Sequence, residues 1–172
     1  MQNLILYHKN IPLPPDLIKF IKSEVKQKKY RSGALGLHHF STYPNYDVCQ
    51  PLYGFYDKII KQALFRLTIS YASFKQFIWA QIYLGSWEWE KDAHDKHNHH
   101  SETIQLSLVH FIKTPDKKCF RFTNTFVPPN QNDGDFILFP SWAVHEVLPY
   151  YEKVDRIAVS YTHLTLPTMA IV

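Results

Sequence analysis

The hydrophobic repeat of this chain changes period once, near residue 70, and that switch limits the possible folds more than any single motif does. Before it, apolar residues recur at helical spacing. Pro14-Pro15-Asp16 precedes Leu17, Ile18, Phe20, Ile21 and Val25, which predicts an amphipathic helix running to about Lys29. Pro51 opens a second helix, with Leu52, Phe55, Tyr56, Ile59, Ile60, Ala63, Leu64 and Leu67 on one face. Between them, residues 31–50 carry turn chemistry (Ser32-Gly33, Tyr43-Pro44-Asn45) and read as a loop. After the switch come short segments rich in aromatic and β-branched residues: 77–84, 104–112, 119–126, 136–139 and 144–148. Turn clusters at Thr114-Pro115-Asp116-Lys117 and from Pro128 to Gly134 separate them. Helices first and strands afterwards predict an α+β fold, its strands closing into a sandwich or barrel buttressed by the helices.

Composition agrees. The 172 residues are 45% hydrophobic and 20% charged, enough for one full core and too apolar for disorder. Aromatic residues reach 16% with only 5 glycines, which suits β-structure. No apolar run approaches the roughly 18 residues that span a membrane. Met1-Gln2-Asn3-Leu4-Ile5-Leu6 lacks a basic leader and a small-residue cleavage site, so no signal peptide is expected. Two cysteines, Cys49 and Cys119, indicate no disulfide framework and point to the reducing cytoplasm. The net charge is +4, and Lys19, Lys22, Lys26, Lys28, Lys29 and Arg31 supply a basic stretch. No stacking aromatics interleave with them, so a solvated helix face is expected and nucleic-acid binding is not.

Residues 159–168 (Val-Ser-Tyr-Thr-His-Leu-Thr-Leu-Pro-Thr) read as the translation of a transposon-end sequencing adapter. The expected organisation is therefore one domain over 1–158, helical over 14–68 and barrel over 74–158. Residues 159–172 are then a scar partly replacing the last strand, and His163 receives no function.

Histidines cluster. His94, His97, His99, His100 and His110 lie close together, and His145 stands alone later. On an extended chain His97 and His99 face the same way, so two imidazoles can converge on one ion. A third ligand must come from another strand, and imidazole suits Fe, Zn, Cu or Ni better than Mg or Ca. His145 is the candidate; it follows the Gly134-Asp135 turn, an apolar strand and the break at Pro140. Arg156 comes eleven positions later, after a turn at 149–153, and is expected on the neighbouring strand pointing into the same barrel. An inward guanidinium is costly to bury unless it meets an anion, and its fork matches a carboxylate. A polar histidine loop and an exposed strand arginine are the plainer alternatives.

His97-x-His99, Gly134-Asp135 leading to Leu138-Phe139-Pro140-Ser141-Trp142, then His145-x-Val147-x-Pro149 and Arg156, resemble the 2-oxoglutarate/Fe(II)-dependent oxygenase superfamily. The pattern is most similar to small oxygenases of phages and marine bacteria related to prolyl 4-hydroxylases, over residues 79–158. The resemblance implies a double-stranded β-helix, a jelly roll or cupin-like barrel, with the N-terminal helices packed on its outside. It implies Fe(II) and 2-oxoglutarate as cofactors and a hydroxylase-type dioxygenase acting on a small-molecule or peptidyl substrate. By position, His97 and His145 would bind Fe(II), and Arg156 would pair with the distal carboxylate of 2-oxoglutarate. Many members carry Asp or Glu where this chain has His99. Either His99 is the third ligand, the favoured assignment, or Glu102 or Asp95 takes that place. The hydroxyl or small residue usual two places after the arginine is replaced by Ala158.

Gln81 and Tyr83 alternate on the strand before the ligand loop, where the family often places cosubstrate contacts; Tyr83 is expected to donate its hydroxyl to 2-oxoglutarate or to pack the barrel. Trp87, Trp89 and Trp142 are expected as packing or pocket walls, and His38 and His39 as part of a loop over the barrel mouth. Two other readings stand beside the oxygenase. A cupin-type metalloprotein shares the Gly134, Pro140, His145 spacing but does not need Arg156, and a non-catalytic jelly-roll binding module needs no metal.

Overall fold

The computed structural model describes residues 4–27, 39–69, 74–85, 94–100, 104–123, 129–148, 150 and 152–165. In chain order these form β1 (Tyr7–Asn10), α1 (Pro15–Gln27), β2 (His39–Ser41), a 3-10 turn (Tyr46–Cys49) and α2 (Gln50–Arg66). There follow β3 (Phe74–Tyr83), β4 (His94–His97), β5 (Ile104–Lys113), β6 (Phe120–Phe122), β7 (Asp135–Pro140), β8 (His145–Val147) and β9 (Arg156–Thr165). Six strands make one antiparallel sheet in the order β1-β7-β5-β9-β3-β2, and β4-β8-β6 make a second. No described helix is long and apolar enough to cross a membrane.

The period-2 alternation of the central strands sorts their side chains into two cores. Ile78, Ala80 and Ile82 of β3, Leu108 of β5 and Val159 of β9 join Ile21, Leu52, Ile60 and Leu64 of the two helices. Their neighbours Tyr83, Val109, Phe111 and Ala158 turn the other way, towards Phe120, Phe122 and Val147 of the small sheet. Burial on both faces explains why these segments read as nearly continuous apolar runs.

One histidine of the cluster belongs to the helix side. His110 on β5 is fully buried, its Nε2 2.7 Å from the Ile11 carbonyl and its Nδ1 2.8 Å from the Tyr56 hydroxyl. A carbonyl only accepts, so Nε2 carries the proton and the Tyr56 hydroxyl donates to Nδ1. The ring thus ties α2 and the chain before α1 to the sheet, and is not a metal ligand. Tyr56→Phe is expected to strand a buried acceptor and cost about 1–3 kcal/mol, read as a lower urea midpoint with unchanged slope.

Several boundaries differ from the sequence-based expectation. Part of the 31–50 loop is structured, as β2 and the 3-10 turn, because His39, Ser41 and Cys49 are buried against β3 and its surroundings. The sequence-based reading places no strand at β1; three of its four residues are exposed, so it has little hydrophobic pattern to read. Arg156 does not lie on the strand next to His145. The turn before it carries the chain out of the small sheet, so β9 enters the large sheet between β5 and β3. Gly85 permits this turn: a Cβ there would lie 2.5 Å from the Glu152 carbonyl oxygen and the Val154 nitrogen. Gly134 has φ +87° and makes the expected turn into β7. β9 itself continues through 159–165, paired with β3 from Tyr83↔Arg156 to Phe74↔Thr165, and buries Val159 and Tyr161.

Candidate metal and cosubstrate site

Strand register builds the inner face of the large sheet in rows. His39, Tyr83 and Arg156 are successive partners across β2, β3 and β9. Ser41, Gln81 and Ala158 form the next row. Trp79, Ser160 and Val109 form a third, across β3, β9 and β5. Residues two apart on a strand share a face, so all three rows look the same way. Between them and the small sheet lies a cavity of about 320 Å³, which His97, His99 and His145 enter from the opposite side.

The three histidines lie together, His97 at the end of β4 and His99 just beyond it. His97 and His145 are cross-strand partners on β4 and β8, and the His99 amide donates to the Ser141 carbonyl (3.0 Å) just beyond β7. Ring centroids stand 4.4 Å apart for His97–His145, 5.0 Å for His97–His99 and 5.2 Å for His99–His145. One nitrogen from each lies within 4.8 Å of the others, the only such group of three among the described residues. His145 Nδ1 donates to the Ala143 carbonyl at 2.9 Å, which leaves Nε2 as the ligand atom. Burial, followed by the neighbouring imidazoles, lowers His99 to about 3 and His145 to about 4. Both are therefore in the unprotonated form a metal requires well below neutral pH. Glu102 and the side chain of Asp95 lie outside the described residues, as do His38, Trp87 and Trp89.

Arg156 is 1% exposed. Its guanidinium carbon lies 4.9 Å over the Tyr83 ring and 5.8 Å from that of Phe111, and its Nε and Nη1 have no hydrogen-bond partner among the described residues. Tyr150 holds its backbone: the Arg156 amide donates to the Tyr150 hydroxyl (2.9 Å), which donates to the Tyr83 carbonyl (2.9 Å). Nothing in the sequence around Tyr150 marks it for this task, because it sits in what reads as a turn. The Tyr83 hydroxyl donates to Gln81 Oε1 at 3.0 Å, and burial raises its pKa so that it stays protonated. His39 stacks on Tyr83 with centroids 4.3 Å apart, and is lowered to about 4 by burial and then by the Arg156 charge. It is a wall of the cavity rather than part of a covering loop, since β2 turns it onto the inner face. Trp142 is 44% exposed and does not line the cavity: the turn after β7 points it to solvent.

No protein-family model matches the sequence, and no curated protein does. Solved structures do. A Pseudomonas putida prolyl-4-hydroxylase superposes with TM-score 0.60 at 16% identity, over 94% of this chain and 92% of that one. A Trichoplax adhaerens prolyl hydroxylase, solved with a hypoxia inducible factor peptide fragment, gives 0.61 at 12% identity over 95% and 88%. The 2-oxoglutarate-dependent carbocyclase SnoK of nogalamycin biosynthesis gives 0.63 at 12% identity over 92% and 79%. The chain has the jelly-roll fold of the 2-oxoglutarate/Fe(II) oxygenases. In this oxygenase fold, the chain's own residues fit a divalent ion at the three imidazoles and a carboxylate at the buried arginine.

The depressed histidines make stability depend on pH. His39, His110 and His145 at about 4 and His99 at about 3 stay neutral when folded, whereas unfolded histidine titrates near 6.5. Below about pH 6.5 the unfolded chain takes up protons that the folded chain cannot. Stability is thus complete above that pH and lost as pH falls towards 4, by up to about 1.4 kcal/mol per pH unit for each group. The metal-free protein is expected to melt at a constant temperature from pH 8 to 7 and progressively lower from 6.5 to 5, above the carboxylate range. A flat profile down to pH 5 would contradict the burial of these rings.

Proposed function

We propose that the protein is an Fe(II)- and 2-oxoglutarate-dependent dioxygenase of the hydroxylase type, acting in the cytoplasm on a small-molecule or peptidyl substrate. The observation that carries this reading is Arg156, a buried guanidinium with two nitrogens unpartnered among the described residues, in the cavity that the three imidazoles also enter. A cupin-type metal site has no use for that cation, and a passive binding module has no use for the imidazoles. His97, His99 and His145 would hold the ion, and Arg156 would anchor the distal carboxylate of the cosubstrate, with Tyr83 beneath it. When bound, the pair supplies oxidising power by coupling O₂ reduction to decarboxylation of 2-oxoglutarate to succinate and CO₂. The chain's part is positional. The Ala143 carbonyl orients His145, Tyr150 sets the backbone of Arg156, and Val109, Phe120 and Val147 keep water from the space between. With three imidazoles, the assigned ligands bring no negative charge, and the dianionic cosubstrate provides it. No side-chain acid or base is assigned.

Anaerobic titration of 2-oxoglutarate into Fe(II)-loaded protein, followed by the visible charge-transfer band, tests the reading. A guanidinium–carboxylate contact is worth about 1.5–3 kcal/mol, or about 10- to 150-fold in affinity. Arg156→Ala is expected to raise the midpoint at least tenfold with Fe(II) still bound, and Arg156→Lys to recover part of that loss. His97→Ala, His99→Ala and His145→Ala should each lower Fe(II) affinity. If His99→Ala kept full affinity while Glu102→Ala lost it, the carboxylate would be the ligand. An unchanged midpoint in Arg156→Ala would remove the arginine from the site.

The domain is proposed to span 1–158, with seven of the ten residues of β9, 159–165, supplied by adapter-derived sequence. The adapter-like reading of 159–168 is what supports this, and the alternation of Val159-Ser160-Tyr161-Thr162 lets such residues pair in a sheet whatever their origin. The source DNA is expected to lose coding similarity to related genes at codon 159; continuous homologous sequence across it would refute the assignment.

A further inference from the structure

The cavity has two ends of different chemistry. At one, Arg156 is the only permanently charged side chain among the described residues that line it. At the other is an aromatic corner. Trp79, almost wholly buried, stands edge-on to His99 with centroids 5.3 Å apart. Tyr43 meets Trp79 at 5.6 Å and Tyr46 at 5.8 Å, each near a T-shape. Tyr43 is 53% exposed, exceeded among the described large hydrophobic residues only by Phe65, and it lines the cavity. The corner therefore leads from solvent to a residue assigned as a metal ligand.

We propose that the substrate group admitted beside the metal is an uncharged planar ring, seated at the Tyr43–Trp79 corner, and that Tyr43 selects it. The inference rests on the oxygenase reading, because it assigns Arg156 to the cosubstrate. Three observations support it. No described lining residue is a carboxylate, so an entering ammonium or guanidinium would lose its water without gaining a partner. An entering carboxylate or phosphate would instead compete for Arg156. A zwitterionic free amino acid meets both obstacles. The remaining polar lining is neutral: Ser41, Gln81, Asn98 and Ser160 offer hydrogen bonds to the edge of a ring, not charge. The Tyr46 hydroxyl, pushed up to about 12 by burial and by Tyr43, keeps the corner neutral as well. The aromatic walls favour a flat partner, through stacked or edge-to-face contacts. At about 320 Å³ the cavity is at the small end for ligand sites, so a bound cosubstrate leaves room for one ring, with the rest of the substrate outside.

The test uses Mn(II)-loaded protein with 2-oxoglutarate and reads the paramagnetic broadening of probe protons by NMR. Indole, neutral and planar, is expected to broaden. L-tryptophan, the same ring on a zwitterion, should broaden at least tenfold less, and the non-planar N-acetylprolinamide should also fall well below indole. Tyr43→Ala should weaken the indole effect about threefold to tenfold, the worth of one aromatic contact, while Tyr43→Phe keeps it. N-acetyltryptophanamide identifies the source. Broadening beyond indole means a ring carried on a peptide, and broadening below it a free small molecule. Equal effects from indole and L-tryptophan would overturn the charge argument, N-acetylprolinamide ahead of indole would overturn planarity, and an unchanged Tyr43→Ala would remove Tyr43. Mn(II) and 2-oxoglutarate binding are measured separately, by the metal's own resonance and by calorimetry. If those fail, the oxygenase reading falls, and saturation transfer from the protein to indole still decides whether the corner binds a ring.

Discussion

Arg156 carries a permanent charge that is almost wholly withdrawn from water, and the surrounding structure is arranged around that cost. Burying a guanidinium without an anion is tolerable only where its face meets π-systems and its backbone is held firmly. Tyr83 and Phe111 supply the aromatic faces, and the Tyr150 hydroxyl bridges the Arg156 amide to the Tyr83 carbonyl. Two of its nitrogens have no hydrogen-bond partner among the described residues, and a carboxylate would meet them with a matching fork. A guanidinium so placed costs the empty protein stability that a bound anion would recover.

The same rows that place Arg156 also place everything around it. β3 is the shared element: its outward residues pack under the helices, while Tyr83, Gln81 and Trp79 form the inner wall from the cation to the aromatic corner. Because the register of β3 against β9 runs unbroken over ten residues, a one-residue slip would turn Arg156 into the helix-side core. The small sheet adds His97, His145 and an apolar lining, from β4, β6 and β8 of 4, 3 and 3 residues. Its short strands are held by register at His97↔His145 and Phe122↔His145, so His145 is clamped from both sides.

The histidines illustrate how one residue type is put to different uses by burial. His110 and His145 are both depressed to about 4, yet one is a hydrogen-bonded tie between helix and sheet and the other a ligand candidate. What separates them is their place, His110 on the helix side of the large sheet and His145 on the small sheet at the cavity, and the partner of the second nitrogen. His110 has both nitrogens engaged, by Tyr56 and Ile11, whereas Ala143 engages one nitrogen of His145 and leaves the other for an ion.

The sequence by itself determined the order of elements and the α+β class, and it named His97, His99, His145 and an inward Arg156 as candidates, with a polar histidine loop and an exposed strand arginine still open beside them. Each of these follows from a local rule: the switch of hydrophobic period, the two-residue facing of a strand, and the cost of an unpaired cation. Only the tertiary structure decided that Arg156 lies across the cavity from His145 rather than beside it, that His110 serves the helices, and that His39 is a wall. It alone brought Tyr150 under Arg156 and Tyr43 against Trp79. These pairs are separated in sequence by turns or by whole elements, and their contact depends on strand order. Strand order is set by how the two cores close, a property of the whole chain that no short window of residues carries.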